Sequence, residues 1–502
     1  MSPSRDTQAD PIVTTESGAA RGSSVGGVLE FRGIPYAATP TGAARFRPPE
    51  LHPGWQGVRD ARSPGATAPQ ANRKGFGGLD MRPYFGPGWV RGEDSLTLNV
   101  WAPAQTAGGL PVMVFVHGGG FVSGAIDAAL YDGRAFARDG VVLVTVAYRL
   151  GVTGFLDLPG AERNRGLLDV AAALEWVRRN ITAFGGDPDN VTLFGQSAGA
   201  TIVSGVIARR AAEGTFRRAI VQSGSGTGAF TPEQAARVTA AVADRLGVAA
   251  DPIGFAGVPD EDLVEVLGSV GALDLTTSSA FDPLAGLSPI GLVLDEQPAM
   301  SIARGAADHI DLFVTTNAEE GNLYLAPQGN LTTSTDADLS IAARVHPDPE
   351  GLIAAYRRNR PAAGAGEIRA AILGDALFGD GSRRLADAHA ERPGGRTWAA
   401  LFSWRPDTLD GELGSAHTVE LPFVFDTVDA PGVRGAGALL GEGPVPVELV
   451  DFVHGSWVRF ATSGEPGWEP YTLGRRVTQI LEVPPSSSGD PRRDELSAWS
   501  SR

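Results

Sequence analysis

The pentapeptide Gly195-Gln196-Ser197-Ala198-Gly199 sets a serine between small residues, directly after the apolar run 191–194 and just before the helical pattern 201–209. Small residues two before and two after a serine let the chain turn sharply from strand to helix and lift the hydroxyl clear of the sheet edge. A hydroxyl held in this way is a candidate nucleophile, and it needs a base to take its proton and an acid to orient that base. The chain contains no cysteine, so thiolate nucleophiles, thiolate metal sites and disulfides are excluded together.

In this motif the acid and then the histidine follow the serine along the chain. Of the seven histidines, His52 and His117 precede it, His309 stands before a strand-like run, and His389 and His454 fall in helical patterns. His346 follows a helical stretch beside Pro347. His417 remains, in the loop after the run 397–404, at the sheet edge where open α/β proteins carry their working residues. The run 312–316 leads into Asn317-Ala318-Glu319-Glu320-Gly321, and residue chemistry leaves Glu319 and Glu320 equally placed as the acid. His117-Gly118-Gly119-Gly120-Phe121 follows the run 111–116, and successive glycines let backbone N–H groups converge on one point. That is an oxyanion hole, to which the amide of Ala198 adds a further donor. A phosphate cradle is disfavoured, because no Lys-Ser/Thr follows the glycines.

These residues need a frame. Strand-like runs at 111–116, 141–148, 191–194, 219–222, 312–316, 397–404 and 477–483, alternating with helical patterns such as 167–180, predict an α/β fold with a mostly parallel sheet and helices on both faces. The Ala-rich stretches 232–300 and 333–390 read as a helical cover. Segment 70–92, rich in Gly and Pro yet carrying Phe76, Tyr84, Phe85 and Trp89, reads as a long loop that either acts as an active-site lid or is pinned by its aromatics. Without repeats or a linker, residues 1–502 form a single domain, with 484–502 expected to be a loosely ordered polar tail.

Composition narrows the partners. The 502 residues carry 42 basic and 58 acidic side chains, a net charge of -16, which argues against nucleic acid. The longest apolar runs are broken by His117-Gly118 or by Ala147-Tyr148-Arg149, so no membrane span is expected. Residues 1–10 are polar, with neither a basic start nor an apolar stretch, and the expected location is cytoplasmic.

Beyond the elbow, the chain carries Phe31-Arg32-Gly33-Ile34-Pro35-Tyr36-Ala37, Arg45-Phe46-Arg47-Pro48-Pro49, Glu93-Asp94-Ser95-Leu96-Thr97-Leu98-Asn99-Val100 and Phe184-Gly185-Gly186-Asp187-Pro188. With these it resembles the type-B carboxylesterase family over nearly its whole length. The resemblance implies the α/β-hydrolase fold and cleavage of a small-molecule ester through an acyl-enzyme, with no metal or organic cofactor. It also implies Glu320, immediately before the glycine, as the acid, and His417, within Gly414-Ser415-Ala416-His417-Thr418-Val419-Glu420-Leu421-Pro422-Phe423, as the base. Gly119, Gly120 and Ala198 are the implied oxyanion donors, and Ser223 the implied support of the acid. Arg45 with Glu93, and Arg149 with Asp169, match buried ion pairs of the family.

Three departures stand out. Ser95 replaces a disulfide cysteine of secreted relatives, Gln196 replaces a glutamate often found before the nucleophile and so removes a charge beside the imidazole, and 288–297 lacks an Asp-Gly turn in the wall of the substrate gorge. The same machinery would cleave aryl carbamates or activated amides. A choline-ester-selective enzyme draws slight support from the acidic charge, and a non-catalytic binding module would need a broken triad and an extracellular route.

Overall fold

A central parallel strand is covered on both faces and must be apolar along its length, and the runs identified above form such strands. The computed structural model describes residues 10–271 and 273–501, so of the polar opening 1–10 residues 1–9 lie outside the described residues. Among the described residues eleven strands make one sheet. In chain order they are β1 Ser23–Val25, β2 Val28–Pro35, β3 Thr97–Pro103, β4 Leu110–Val116, β5 Val142–Val146, β6 Gly186–Gln196, β7 Arg218–Gln222, β8 Asp311–Asn317, β9 Thr397–Phe402, β10 Val477–Leu481 and β11 Ser486–Gly489. Across the sheet they run β1-β2-β3-β5-β4-β6-β7-β8-β9-β10-β11. The pairings from β5 to β10 are all parallel, and antiparallel pairing is confined to the two edges.

Register sorts the side chains. Val114 of β4 lies opposite Val144 and Leu193, and the alternation along each strand feeds two separate cores. Val112, Val114 and Val116 pack with the helices α1 (Arg165–Asn180), α2 (Ala198–Arg209) and α3 (Asp380–Ala390) on one face. Met113 and Phe115 pack with α4 (Val447–Ser463) on the other. Because the central strands are parallel, β4, β6, β7, β8 and β9 all end at the same edge, and each runs into one of the candidate segments.

Several expectations change. Of the expected tail 484–502, the described residues 484–501 are not loose: β11 pairs antiparallel with β10, and the helix Arg493–Ser497 follows. Glu495 is bound by Arg360 at 2.6 Å, and Trp499 is fully buried with its indole N–H on the Tyr356 hydroxyl at 2.9 Å. The acids Asp490 and Glu495 of this segment are buried and paired with Arg383 and Arg360, which a composition argument does not register. The cover at 232–300 is helical at Pro232–Leu246, Pro252–Ala256, Asp260–Ser269 and Pro298–Ala303, and the described chain between the last two is turns and extended backbone. Segment 70–92 holds a small hairpin, Gly75–Phe76 with Leu79–Asp80, and one helical turn, Arg82–Phe85.

Of the two expected ion pairs, only one forms as expected. The Arg149 guanidinium meets the Asp169 carboxylate at 2.8 and 2.6 Å, and also donates to the carbonyl of Arg47 at 2.7 Å, with both side chains buried. Arg45 instead pairs with Asp260 at 3.0 Å, at the start of Asp260–Ser269, while Glu93 is exposed. The acidic first turn of that helix offers Arg45 a nearer counter-charge than the loop carrying Glu93.

The Asp169→Ala variant removes the counter-charge of a buried guanidinium, and unfolding free energy is expected to fall by about 3–5 kcal/mol. Urea titration of the two proteins checks this, and a loss below about 1 kcal/mol would show that the carbonyls around Arg149 suffice to hold its charge.

Candidate active site

The turn from β6 into α2 forces its central residue into a conformation that side chains avoid. Ser197 has φ 58° and ψ -126°. Such a backbone costs of order 1–3 kcal/mol and persists only where its surroundings over-determine it. Here the Ser197 N–H donates to the carbonyl of Gln222 at 2.9 Å, and the Ser197 carbonyl accepts from Thr201 at 2.9 Å. A Cβ on Gly199 would lie 2.0 Å from the Val116 carbonyl oxygen, and one on Gly195 would lie 2.7 Å from the backbone of Gly199. Only glycine allows α2 to begin this close to β4.

β4 itself runs into the glycine loop. Gly119 has φ 112°, and its carbonyl accepts from the backbone and hydroxyl of Ser123 at 3.1 and 3.0 Å. Among the described residues no loop or turn carbonyl accepts from the N–H of Gly119, Gly120 or Ala198. Ala198 also begins a helix, whose first amides carry partial positive charge. His117 is buried and its imidazole is pushed down to about 4 by that burial, so it is neutral, stacks on Tyr148 and holds the carbonyl of Gly118 at 2.8 Å.

The turn after β8 and the loop after β9 carry the candidate acid and base. His417 Nδ1 lies 2.7 Å from Glu320 Oε2. The other oxygen of Glu320 accepts from the Ser223 hydroxyl at 2.5 Å and from the Asn317 N–H at 2.7 Å. With Nδ1–H given to the carboxylate, the lone pair of Nε2 points toward the site. Glu319 turns away, accepting from the Ser415 N–H at 2.9 Å and pairing with Arg405 at 3.3 Å. The imidazole stacks on Phe378, with ring centres 4.3 Å apart and planes 8° from parallel. Phe378 sits in the π-helical turn Asp375–Gly379, a local widening of the kind that often marks a working site.

Gln196 lies against the imidazole. Its amide nitrogen is 3.3 Å from His417 Nε2, and its oxygen accepts from the Tyr84 hydroxyl at 3.0 Å. That hydroxyl fixes which way the amide points, because a tyrosine bound to the oxygen leaves the NH₂ to face the histidine. Tyr84 also stands beside the Ser197 hydroxyl and the Gly119 amide, and burial raises its phenol well above the ordinary value. Segment 70–92 therefore carries a buried residue into the centre of the site. Sequence reasoning had named Tyr84 only as an aromatic of that loop, and it missed Phe378, Asn317 and Glu420.

Glu420 is buried three residues past His417 and accepts from Asn317 Nδ2 at 2.7 Å. Burial, and then the Glu320 carboxylate, push its carboxyl up to about 7. Ser197, Glu320 and His417 are all buried. Among the described residues no group of three or more His, Asp or Glu side chains is placed to hold a metal ion.

The model of the carboxylesterase family matches residues 9–488. The chain is 34% identical to the para-nitrobenzyl esterase of Bacillus subtilis, covering 96% of this chain and 97% of that one. It is also 34% identical to the phenmedipham hydrolase of Pseudarthrobacter oxydans, over 91% and 90% of the two chains. The solved carboxylesterase of Geobacillus stearothermophilus superposes with a TM-score of 0.84 at 33% identity, covering 97% of this chain and all of that one.

Glu420 gives a pH signature. Its folded-state carboxyl keeps a proton up to about pH 7, whereas the unfolded chain releases it near 4.5. Stability contributed by the protonated form is complete below about pH 4.5 and is lost as pH rises to about 7, by about 3 kcal/mol. Glu420→Gln is expected to flatten this slope, so urea midpoints of the two proteins should diverge between pH 5 and pH 8 in favour of the variant. Parallel curves would show that Glu420 is already ionised throughout.

Proposed function

The chain belongs to the carboxylesterase family on the α/β-hydrolase fold, and we propose that Ser197, His417 and Glu320 are the triad with which it hydrolyses short to medium acyl or aryl esters. That it is a carboxylic ester hydrolase follows from the family; the assignment of each role rests on the site's geometry. The observation that carries it is the 2.7 Å contact of Glu320 with His417 Nδ1, with His417 Nε2 3.3 Å from the amide of Gln196, the residue before the serine of strained backbone.

In the proposed reaction Ser197 Oγ attacks the ester carbonyl carbon as His417 Nε2 takes its proton, the Gln196 amide yielding that lone pair. Catalytic hydrogen bonds of this kind tighten when substrate is bound. Glu320 holds the Nδ1–H tautomer and stabilises the imidazolium, itself held by Ser223 and Asn317. The oxyanion settles among the amides of Gly119, Gly120 and Ala198, each such donor being worth about 2.7–4 kcal/mol in the transition state. Collapse expels the alcohol with the proton from His417 and leaves an acyl-Ser197. Water, deprotonated by His417, then attacks that ester, and the acid departs. Every step uses the chain's own residues and water.

An aryl carbamate is the second reading, favoured by the similarity to a phenmedipham hydrolase. It would pass through a carbamoyl-serine by the same steps. A non-catalytic binding module is opposed by the intact constellation. The absence of cysteine supports a cytoplasmic location, and no helix among the described residues is long and apolar enough to cross a membrane.

Release of p-nitrophenol from acetate, butyrate and octanoate esters and from a matched aryl carbamate tests the assignment. Ser197→Ala should lower kcat by on the order of a millionfold on every substrate turned over. Retention of most activity by that variant would end the assignment of Ser197, and a carbamate cleaved far better than all three esters would move the substrate class.

A further inference from the structure

Segment 70–92 brings a second residue to the site besides Tyr84. The Arg73 guanidinium lies over the rings of Phe76 and Phe85, 4.4 and 4.9 Å from their centres. Phe76 packs edge-on to Tyr324 at 5.9 Å, and Tyr324 stands 6.1 Å from the His417 ring. Phe85 packs on Tyr84, whose hydroxyl reaches Gln196. Arg73 is thus fixed to the same aromatic wall that contacts the imidazole and its neighbour.

What Arg73 lacks is a counter-charge. Among the described residues no carboxylate or carbonyl accepts from its guanidinium, and the groups near it include the neutral phenols of Tyr324 and Tyr84. Burial pulls its pKa below the ordinary arginine value. The contrast with its neighbours is plain: Arg45 has Asp260, Arg59 has Asp94 and Arg82 has Asp80. Arg73 lines a cavity of about 380 Å³ that reaches Val122 and Ser123, just after the glycine run and Phe121, and is otherwise walled largely by Leu150, Val152, Leu263 and Leu267. The one carboxylate on this cavity, Asp260, is taken by Arg45. Next in the chain, Lys74 is exposed, so the local charge is positive in a protein of net charge -16.

Arg73 is half-buried, and its planar guanidinium, held over aromatic faces without an acceptor, matches a carboxylate in a two-pronged contact. We propose that Arg73 selects esters whose non-reacting end carries a carboxylate, such as hemiesters of dicarboxylic acids. This rests on Ser197 being the nucleophile and adds the sign of the substrate's charge, opposite to that of a choline ester. The cavity approaches the oxyanion amides through Val122 and Ser123, whose N–H groups donate to the Gly119 carbonyl, and the proposed substrate would set its carbonyl at those amides and its carboxylate end at Arg73.

The test compares kcat/KM for mono-p-nitrophenyl succinate, adipate and suberate with the neutral butyrate, hexanoate and octanoate esters, in the wild type, Arg73→Gln, Arg73→Lys and Arg73→Glu. The expected result is a ratio favouring at least one hemiester by about tenfold or more, expressed mainly in KM and weakened by salt. That ratio should collapse in Arg73→Gln, survive in part in Arg73→Lys and invert in Arg73→Glu. Because each ratio is taken within one protein, loosened packing of Phe76 and Phe85, which would depress both substrates, does not imitate the effect. Neutral esters preferred at every length, or a ratio unmoved in Arg73→Gln, would overturn the proposal and leave the esterase reading standing. Failure to cleave any of the esters would overturn both.

Discussion

The closeness of α2 to the end of β4 is the constraint from which the site follows. β4 and β6 are neighbours in the sheet, so the loop leaving one and the turn leaving the other emerge side by side. With a hydrogen at Gly199 where a methyl would strike the Val116 carbonyl, the helix begins directly against the glycine loop. That packing contact brings the strained Ser197 and the amides of Gly119 and Ala198 together, and the bonds to Gln222, Thr201 and Ser123 hold them. Donors fixed by backbone in this way would need no reorganisation as charge develops, which is the source of the effect proposed for them.

A second layer of order is electrostatic. Two buried carboxyl groups, Glu320 and Glu420, flank one imidazole, and full ionisation of both would be costly in so dry a place. The chain resolves this unequally. Glu320 receives the Ser223 hydroxyl, the Asn317 N–H and the imidazole N–H, all donors that favour the carboxylate. Glu420 receives the side-chain amide of the same Asn317 and a longer contact from Gln222 at 3.5 Å, and keeps its proton to about pH 7. Gln196 fits this arrangement: a third acid beside His417 would face the same low dielectric, whereas an amide oriented by Tyr84 adds no charge.

Much of this was legible because the physics behind it is local or topological. Strands buried on both faces read as continuous apolar runs, and the serine and histidine could be chosen from motif context and chain order. The acid could not be chosen from residue chemistry, because Glu319 and Glu320 differ only in direction: one turns to Ser415 and the other to His417. The family resemblance, not the spacing, had pointed to Glu320. Arg45 was paired wrongly because its partner lies far along the chain at a helix start, and the tail at 484–502 was misjudged because a polar segment paired with arginines has the composition of a solvated one. Phe378 had no signal at all, since nothing in its neighbourhood marks a π-helical turn.

Segment 70–92 illustrates where such reading stops and why. Its aromatics had two readings, lid or anchor, and the side chains divide the roles. Tyr84 and Phe85 are buried, and the anchor runs through Tyr84 into the centre of the site. The residues proposed for the chemistry follow strand ends, Ser197 directly after β6, Glu320 just past β8 and His417 in the loop after β9, where hydrogen bonds leave them little freedom. The residues that would judge a substrate stand on a loop held by ring packing, where a change of one side chain alters charge or shape without disturbing the sheet. A fold arranged this way keeps its reaction and varies its substrates, and so family membership assigns the reaction while the loop must be read residue by residue.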